Sequence, residues 1–291
     1  MSDYAFALVD VFAKAPLQGN PLAVVQAQPG MKEAVMQNVA REFNQAETTF
    51  VFDSARADRK LRSFTASGSE VFGAGHNALG AWIWLGESGA LGPLDTPTKF
   101  RQEIGELVLP IRIWRQNGRI YGAMMQAPLA LGQVLNDVAA LALALELGAD
   151  DMLASPDPRV ADTGANHLLV RARSRSAVDR ARPDAQALLA CLKDVGAEGC
   201  YLYAFDETSP ATAYARFFNP VVGLWEDSAT GTAAGPLCAY LDSRGLLAAD
   251  RRLIVEQGKS MGRPSLLTVT MGPEAELSGS GVVVMRGQMT L

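Results

Sequence analysis

The sequence predicts an α+β protein of two similar domains, each a mostly antiparallel sheet wrapped around a central helix. Three observations carry that expectation. The chain has 291 residues, more than one hydrophobic core ordinarily organises, because domains of about 100–200 residues are the norm. Short β-rich runs follow one another with few complete βαβ units, which favours antiparallel pairing. Two helix-like segments, residues 75–85 and 231–241, begin at glycine and are apolar almost all the way round. A helix with no polar face must be surrounded by protein.

Taken in order, residues 4–12 are β-rich, Gly19-Asn20-Pro21 is a turn, and an apolar run follows at 22–25. Val35, Val39 and Phe43 recur at spacings of four, with Met36 and Ala40 beside them, and predict an amphipathic helix over 31–43. Residues 48–52, 61–65, 99–114 and 119–126 read as strands, the last two joined by a hairpin turn at Asn117-Gly118. The second half restarts the theme. It has an apolar helix over 134–147, a helix over 183–195 opened by proline, and strands at 167–172, 200–205, 211–218, 253–256 and 265–270. A final β pair after Glu274, divided at Arg286-Gly287, completes it, and the domain boundary falls near Gly118.

The approach to each apolar helix also repeats. Arg62-Ser63-Phe64 leads to Glu70 and then Gly75; Arg216-Phe217-Phe218 leads to Glu226 and then Gly231. The Arg-to-Glu interval is 8 residues in the first copy and 10 in the second. Together with the two helices, this suggests two similar domains facing one another.

Composition narrows the function. At 48% hydrophobic and 20% charged residues the chain lacks the bias of disorder. Lys+Arg 26 against Asp+Glu 31 gives a net charge of −5, which argues against nucleic acid or an anionic membrane as the main partner. Two histidines (His76, His167) and three cysteines (Cys191, Cys200, Cys238), with no CxxC, HExxH or EF-hand pattern, argue against a structural metal and a disulfide framework. The start, MSDYAFALVDVF, does not read as a signal peptide, and the apolar runs fall far short of the ~18 residues needed to cross a bilayer. A cytoplasmic protein is expected.

Helix N-termini gather free N–H groups and the positive end of the helix dipole. Two of them meeting at an interdomain cleft would hold an anionic small molecule. Neither fits GxGxxG or GxxxxGK[ST], so a nucleotide is not indicated; the same glycines also serve simple close packing. Beside these helices stand His76, Asp227 and Glu47, the last at a helix-to-strand junction where apolar walls would raise a carboxyl pKa towards neutrality. Taken singly, each has an ordinary structural role open to it, such as packing or an N-cap.

Taken together, the residues are recognisable. Gly19-Asn20-Pro21-Leu22-Ala23-Val24-Val25, Glu47-Thr48-Thr49-Phe50, the stretch 62–80, the stretch 226–236, Gln257-Gly258 and Gly262-Arg263-Pro264-Ser265 resemble the phenazine-biosynthesis PhzF-like family in the right order over nearly the whole chain. The resemblance implies the diaminopimelate epimerase fold, with curved sheets, and the return of the C-terminal strands to the first domain. The domains are then 1–118 plus 279–291 and 119–278, with the active site in the cleft between them. It further implies a cofactor-independent isomerase and a homodimer. Glu47 matches the family's acid/base, with His76 and Asp227 as catalytic partners. Gly75, Asn77, Thr230, Gly231, Thr232 and Ala233 match the substrate-binding positions, and Thr232 stands where the phenazine enzyme has serine.

The departures are Ser228 and Ala66, which replace family prolines and should alter loop rigidity more than chemistry. Diaminopimelate epimerases and proline racemases carry paired cysteines beside the two helices, where this chain has Ala74 and, approximately, Thr230. A two-thiol racemase is thereby disfavoured. The expected activity is a proton shift on a small carboxylate-bearing substrate; the alternatives are a catalytically silent binding dimer or an epimerase on the same fold.

Overall fold

The computed structural model describes residues 2–206, 209–222 and 224–291, which fall into two units, Met1–Met124 with Ser278–Leu291 and Met125–Leu277. The division thus lies after Met124 and not near Gly118. Asn117 and Gly118, with φ of +51° and +76°, form the tight turn of a hairpin whose strands pair from Arg112↔Ala123 to Gln116↔Arg119. A hairpin bonded along its length stays in one core.

The first unit runs β1 (Asp3–Val11), β2 (Asn20–Gln26), α1 (Glu33–Phe43), β3 (Glu47–Phe52), β4 (Arg59–Thr65), β5 (Glu70–Val71), α2 (His76–Glu87), β6 (Thr98–Ile104), β7 (Leu107–Gln116) and β8 (Arg119–Met125). β1 and β2 are antiparallel, β2 and β3 parallel, and β3 and β4 antiparallel. β4 pairs antiparallel with the short β5 and parallel with β6, and β6, β7 and β8 continue antiparallel. The C-terminal strand, Ala275–Thr290, runs antiparallel to β1 and also pairs β8. The ladder therefore closes around α2, where every residue from Asn77 to Gly86 is buried. Gly80 makes this possible, since a Cβ there would stand 2.5 Å from Leu22 Cδ2 and 2.7 Å from Val11 Cγ2. On the outer face, Met36, Val39 and Ala40 of α1 pack with Phe50 and Phe64.

The second unit runs β9 (Ala130–Val134), α3 (Val138–Ala144), β10 (Arg159–Asp162), β11 (His167–Arg171), α4 (Arg175–Arg180), α5 (Ala185–Val195), β12 (Gly199–Asp206), β13 (Ser209–Asn219), β14 (Leu224–Asp227), α6 (Gly231–Ser243), β15 (Arg252–Gln257) and β16 (Ser265–Met271). From β10 onward its pairing repeats that of the first unit. β10 and β11 are antiparallel, β11 and β12 parallel, and β12 and β13 antiparallel. A short antiparallel β14, a parallel β13–β15 pair and an antiparallel β15–β16 pair follow. α6 is its central helix, buried at every residue from Ala233 to Leu241. The fold is α+β with two similar sheets around central helices, as expected.

Four local readings change. The run 99–114 is a hairpin, broken at Gly105 with φ of +55°. The run 134–147 ends a strand at Val134 before a shorter helix starts, because Asp137 caps it by accepting from the Ala140 N–H at 2.9 Å. Only Gly19 is in the left-handed turn region, while Asn20 and Pro21 already pair with Val11 and Asp10. Finally, Arg286-Gly287 is no turn: the C-terminal strand is continuous, and Gly287 sits opposite Phe6. A Cβ there would meet the Phe6 ring at 2.7 Å, so close packing is the reason for this glycine. Among the described residues, no helix is long and apolar enough to cross a membrane.

Candidate active site

Glu47 opens β3 just after the left-handed C-cap of α1 at Asn44, and pairs with Leu22 of β2 and Thr65 of β4. Three strands thus anchor its backbone. Its Oε2 is buried and makes no hydrogen bond among the described residues. Burial pushes the carboxyl up to about 7, because a carboxylate without water or donors loses its solvation. His76, the first residue of α2, brings Nδ1 to 3.7 Å from that oxygen. This is beyond a hydrogen bond. A carboxyl poised near neutrality can take up and release a proton at similar cost.

A buried polar cluster shapes the turn into α2. The Gly75 N–H donates to Asn77 Oδ1 at 2.7 Å, and Asn77 Nδ2 donates to Gly73 O at 2.9 Å and Ser63 Oγ at 3.1 Å. Ser63 Oγ lies 2.9 Å from Thr49 Oγ1. Asn77, expected among the substrate-binding residues, is only 2% exposed and has both amide hydrogens engaged. The structure gives it the support of Gly75.

In the second unit, β14 delivers Asp227, and the N-cap of α6 is Thr230, not Asp227. Thr230 Oγ1 donates to Asp227 Oδ2 at 2.7 Å. Gly258, with φ of +78°, brings its turn against this loop so closely that a Cβ would stand 2.6 Å from Ser228 O and 2.3 Å from Arg263 O. The separated motifs at 226–236, Gln257-Gly258 and 262–265 are thus one construction. Gly231 O accepts from Gln126 Nε2 at 2.9 Å, and Gln126 Oε1 accepts from Thr163 at 2.8 Å. Ala233 is buried and its N–H bonds to Thr230 O at 3.1 Å.

Thr232 Oγ1 lies 3.1 Å from His167 Nε2. His167 is 3% exposed, and burial lowers its pKa to about 4, so the ring is neutral at physiological pH. No sequence motif assigns a role to His167, Ser63 or Gln126. The scarcity of histidine was the one signal that could have drawn attention to His167.

The repeated approach is physical. Arg62 Nε and Nη2 each donate to Glu70 at 2.6 Å, and Arg216 Nε and Nη2 donate to Glu226 at 2.9 and 2.7 Å. Each guanidinium lies over the phenylalanine two residues on, at 5.1 Å from Phe64 and 4.8 Å from Phe218. The pair clamps β4 to β5 and β13 to β14, directly before each site loop. A hollow of about 430 Å³ in the first unit is lined by Phe52, Lys60, Arg62 and Glu70 among others, but by neither Glu47 nor His76. Burial pushes the Cys200 and Cys238 thiols up to about 12, which makes them inert hydrophobes. Among the described residues, no group of three or more His, Cys, Asp or Glu side chains is arranged to hold a metal ion.

A family model described as phenazine biosynthesis-like protein matches residues 9–287. The chain is 33% identical over 295 residues to a trans-2,3-dihydro-3-hydroxyanthranilate isomerase of Pseudomonas chlororaphis, spanning 98% of this chain and 99% of that one. A solved Bacillus anthracis phenazine biosynthesis protein of the PhzF family is similar over 100% of both chains, with a TM-score of 0.89 and 25% identity. A probable proline racemase from Agrobacterium radiobacter is similar in fold alone, with a TM-score of 0.66 and 13% identity over 99% of this chain and 93% of that one.

Proposed function

Because the chain belongs to the phenazine biosynthesis-like protein family, whose curated relatives are named isomerases, we propose that it moves a proton between carbons of a small carboxylate-bearing substrate of the cyclic amino acid type. The observation that supports this best is the Glu47 carboxyl, pushed up to about 7 by burial and set 3.7 Å from His76. Its ionised form removes a proton from one carbon as the double bonds shift, and its protonated form, after exchange with solvent, gives a proton to another carbon. Atoms and charge balance over the cycle. In the first unit His76 tempers the charge on Glu47 and the first-turn N–H groups of α2 hold a substrate carboxylate; in the second, Asp227, Thr232 and the first-turn N–H groups of α6 hold an amine or hydroxyl.

The test uses trans-2,3-dihydro-3-hydroxyanthranilate, the compound in the relative's name, in heavy water. Wild-type protein should isomerise it and place deuterium on the product carbon. Glu47→Gln should lower the rate by about 10²–10⁴-fold while the protein still unfolds in one cooperative transition. Undiminished turnover in that variant would end the assignment. A silent binding protein would show no exchange, and a two-thiol racemase would be stopped by thiol alkylation, which should leave this enzyme active.

A further inference from the structure

Gln257 is fully buried at the end of β15, and each of its amide atoms has two partners. Nε2 donates to the Asp227 carbonyl at 2.8 Å and to Thr230 Oγ1 at 2.9 Å. Oε1 accepts from the Thr230 N–H at 3.3 Å and from Tyr201 Oη at 2.9 Å. The two backbone groups fix the orientation of the amide, because a carbonyl only accepts and a backbone N–H only donates. Tyr201 is fully buried, and burial followed by the nearby Asp227 charge raises its pKa, so it stays a donor.

Thr230 continues the series. Its oxygen receives the Gln257 hydrogen, and its own hydrogen is donated to Asp227 Oδ2, 2.7 Å away. The chain of bonds runs one way, from Tyr201 through Gln257 and Thr230 to Asp227. We infer that Gln257 is a positioning residue that, through Thr230, presents Asp227 to substrate as an ionised carboxylate in one fixed orientation. Such a group accepts only, so it selects a substrate amine or hydroxyl over a carbonyl at that point. This rests on the reading that Asp227 meets the substrate.

The experiment is a titration of the Asp227 carboxyl by ¹³C NMR, assigned through Asp227→Asn, in wild type, Thr230→Val, Thr230→Ser, Gln257→Glu and the Thr230→Val/Gln257→Glu double variant. Thr230→Val should raise the Asp227 midpoint by roughly one pH unit through loss of one charge-assisted hydrogen bond, and Thr230→Ser should leave it in place. Gln257→Glu should also raise it, since the new carboxylate draws the Thr230 proton away. In the double variant the shifts should fall short of their sum, because both single changes remove the same bond. An unmoved midpoint in Thr230→Val, or strictly additive shifts, would overturn the inference; a merely structural Gln257 would lower the melting temperature without that coupling. If Gln257→Glu does not fold, the Thr230→Val and Thr230→Ser pair decides. The titration needs no substrate, so its result is separate from that of the isomerase assay.

Discussion

Glu47 and Asp227 are the same functional group in opposite surroundings. One Glu47 oxygen is buried without a donor, and its carboxyl is pushed up to about 7; Asp227 receives the Thr230 hydroxyl at 2.7 Å. Surroundings that differ in this way suit one carboxylate to carrying a proton and the other to accepting a fixed hydrogen bond. Gly258 is the residue on which the second environment depends. At φ of +78°, with Arg263 O and Ser228 O at 2.3 and 2.6 Å from a would-be Cβ, it admits no side chain. Gly258→Ala should cost at least about 2–3 kcal/mol in urea unfolding, because a backbone clash adds to the left-handed penalty. Gly30→Ala is the control: its φ is +86° with nothing within 4 Å, and it should cost about 1 kcal/mol. Equal losses would show that the close approach at Gly258 carries no weight.

At the scale of elements, the repeated Arg–Glu clamp is built at two depths. The Arg216 and Glu226 side chains are 6% and 14% exposed, and Arg216 Nη1 also donates to Val178 O and Ala181 O at 3.1 and 2.8 Å. The Arg62 and Glu70 side chains are 23% and 20% exposed. Removing one partner of a buried pair strands a charge, whereas water compensates an accessible one. Arg216→Ala should therefore cost about 3–5 kcal/mol in chemical denaturation and Arg62→Ala on the order of 1 kcal/mol; the reverse ranking would refute this account. The repeat was visible in the spacing of residue types. Its pairing was not, because whether Arg62 reaches Glu70 depends on β4 and β5 lying side by side. The same limit hid the hairpin at Gly105 and the continuity of the C-terminal strand. A glycine looks alike in sequence whether it supplies a positive φ, as at Gly105, or clears space for a ring, as at Gly287.

For the whole molecule, two buried groups make stability depend on pH in opposite senses. Glu47 titrates near 7 in the folded chain against an ordinary 4.5, so the folded state holds that proton longer and loses stability as pH rises from about 4.5 to 7. His167 titrates near 4 against 6.5, so the unfolded state takes up that proton first and stability falls as pH drops from 6.5 to about 4. Each amounts to about 3 kcal/mol at full extent, and between 4.5 and 6.5 they largely offset one another. Denaturation curves across this range should show Glu47→Gln gaining stability with pH more steeply than wild type. His167→Gln should gain less than wild type or decline. Three parallel profiles would contradict both burial assignments. Neither shift could be read from sequence, which shows the titratable group but not the solvent it has lost.

The sequence by itself determined the two-copy plan, the glycine-started apolar helices, the repeated arginine and glutamate before them, and the residue types gathered near each. These are local signals, carried by periodicity, spacing and composition. Only the tertiary structure decided what those residues touch: Thr232 meets His167 across 65 positions, and Gly231 meets Gln126 across 105. It also decided which carboxyl keeps its proton and which way the hydroxyl of Thr230 points. Hydrogen bonds and proton affinities are set by distance and solvation in space, and neither is a function of order along the chain.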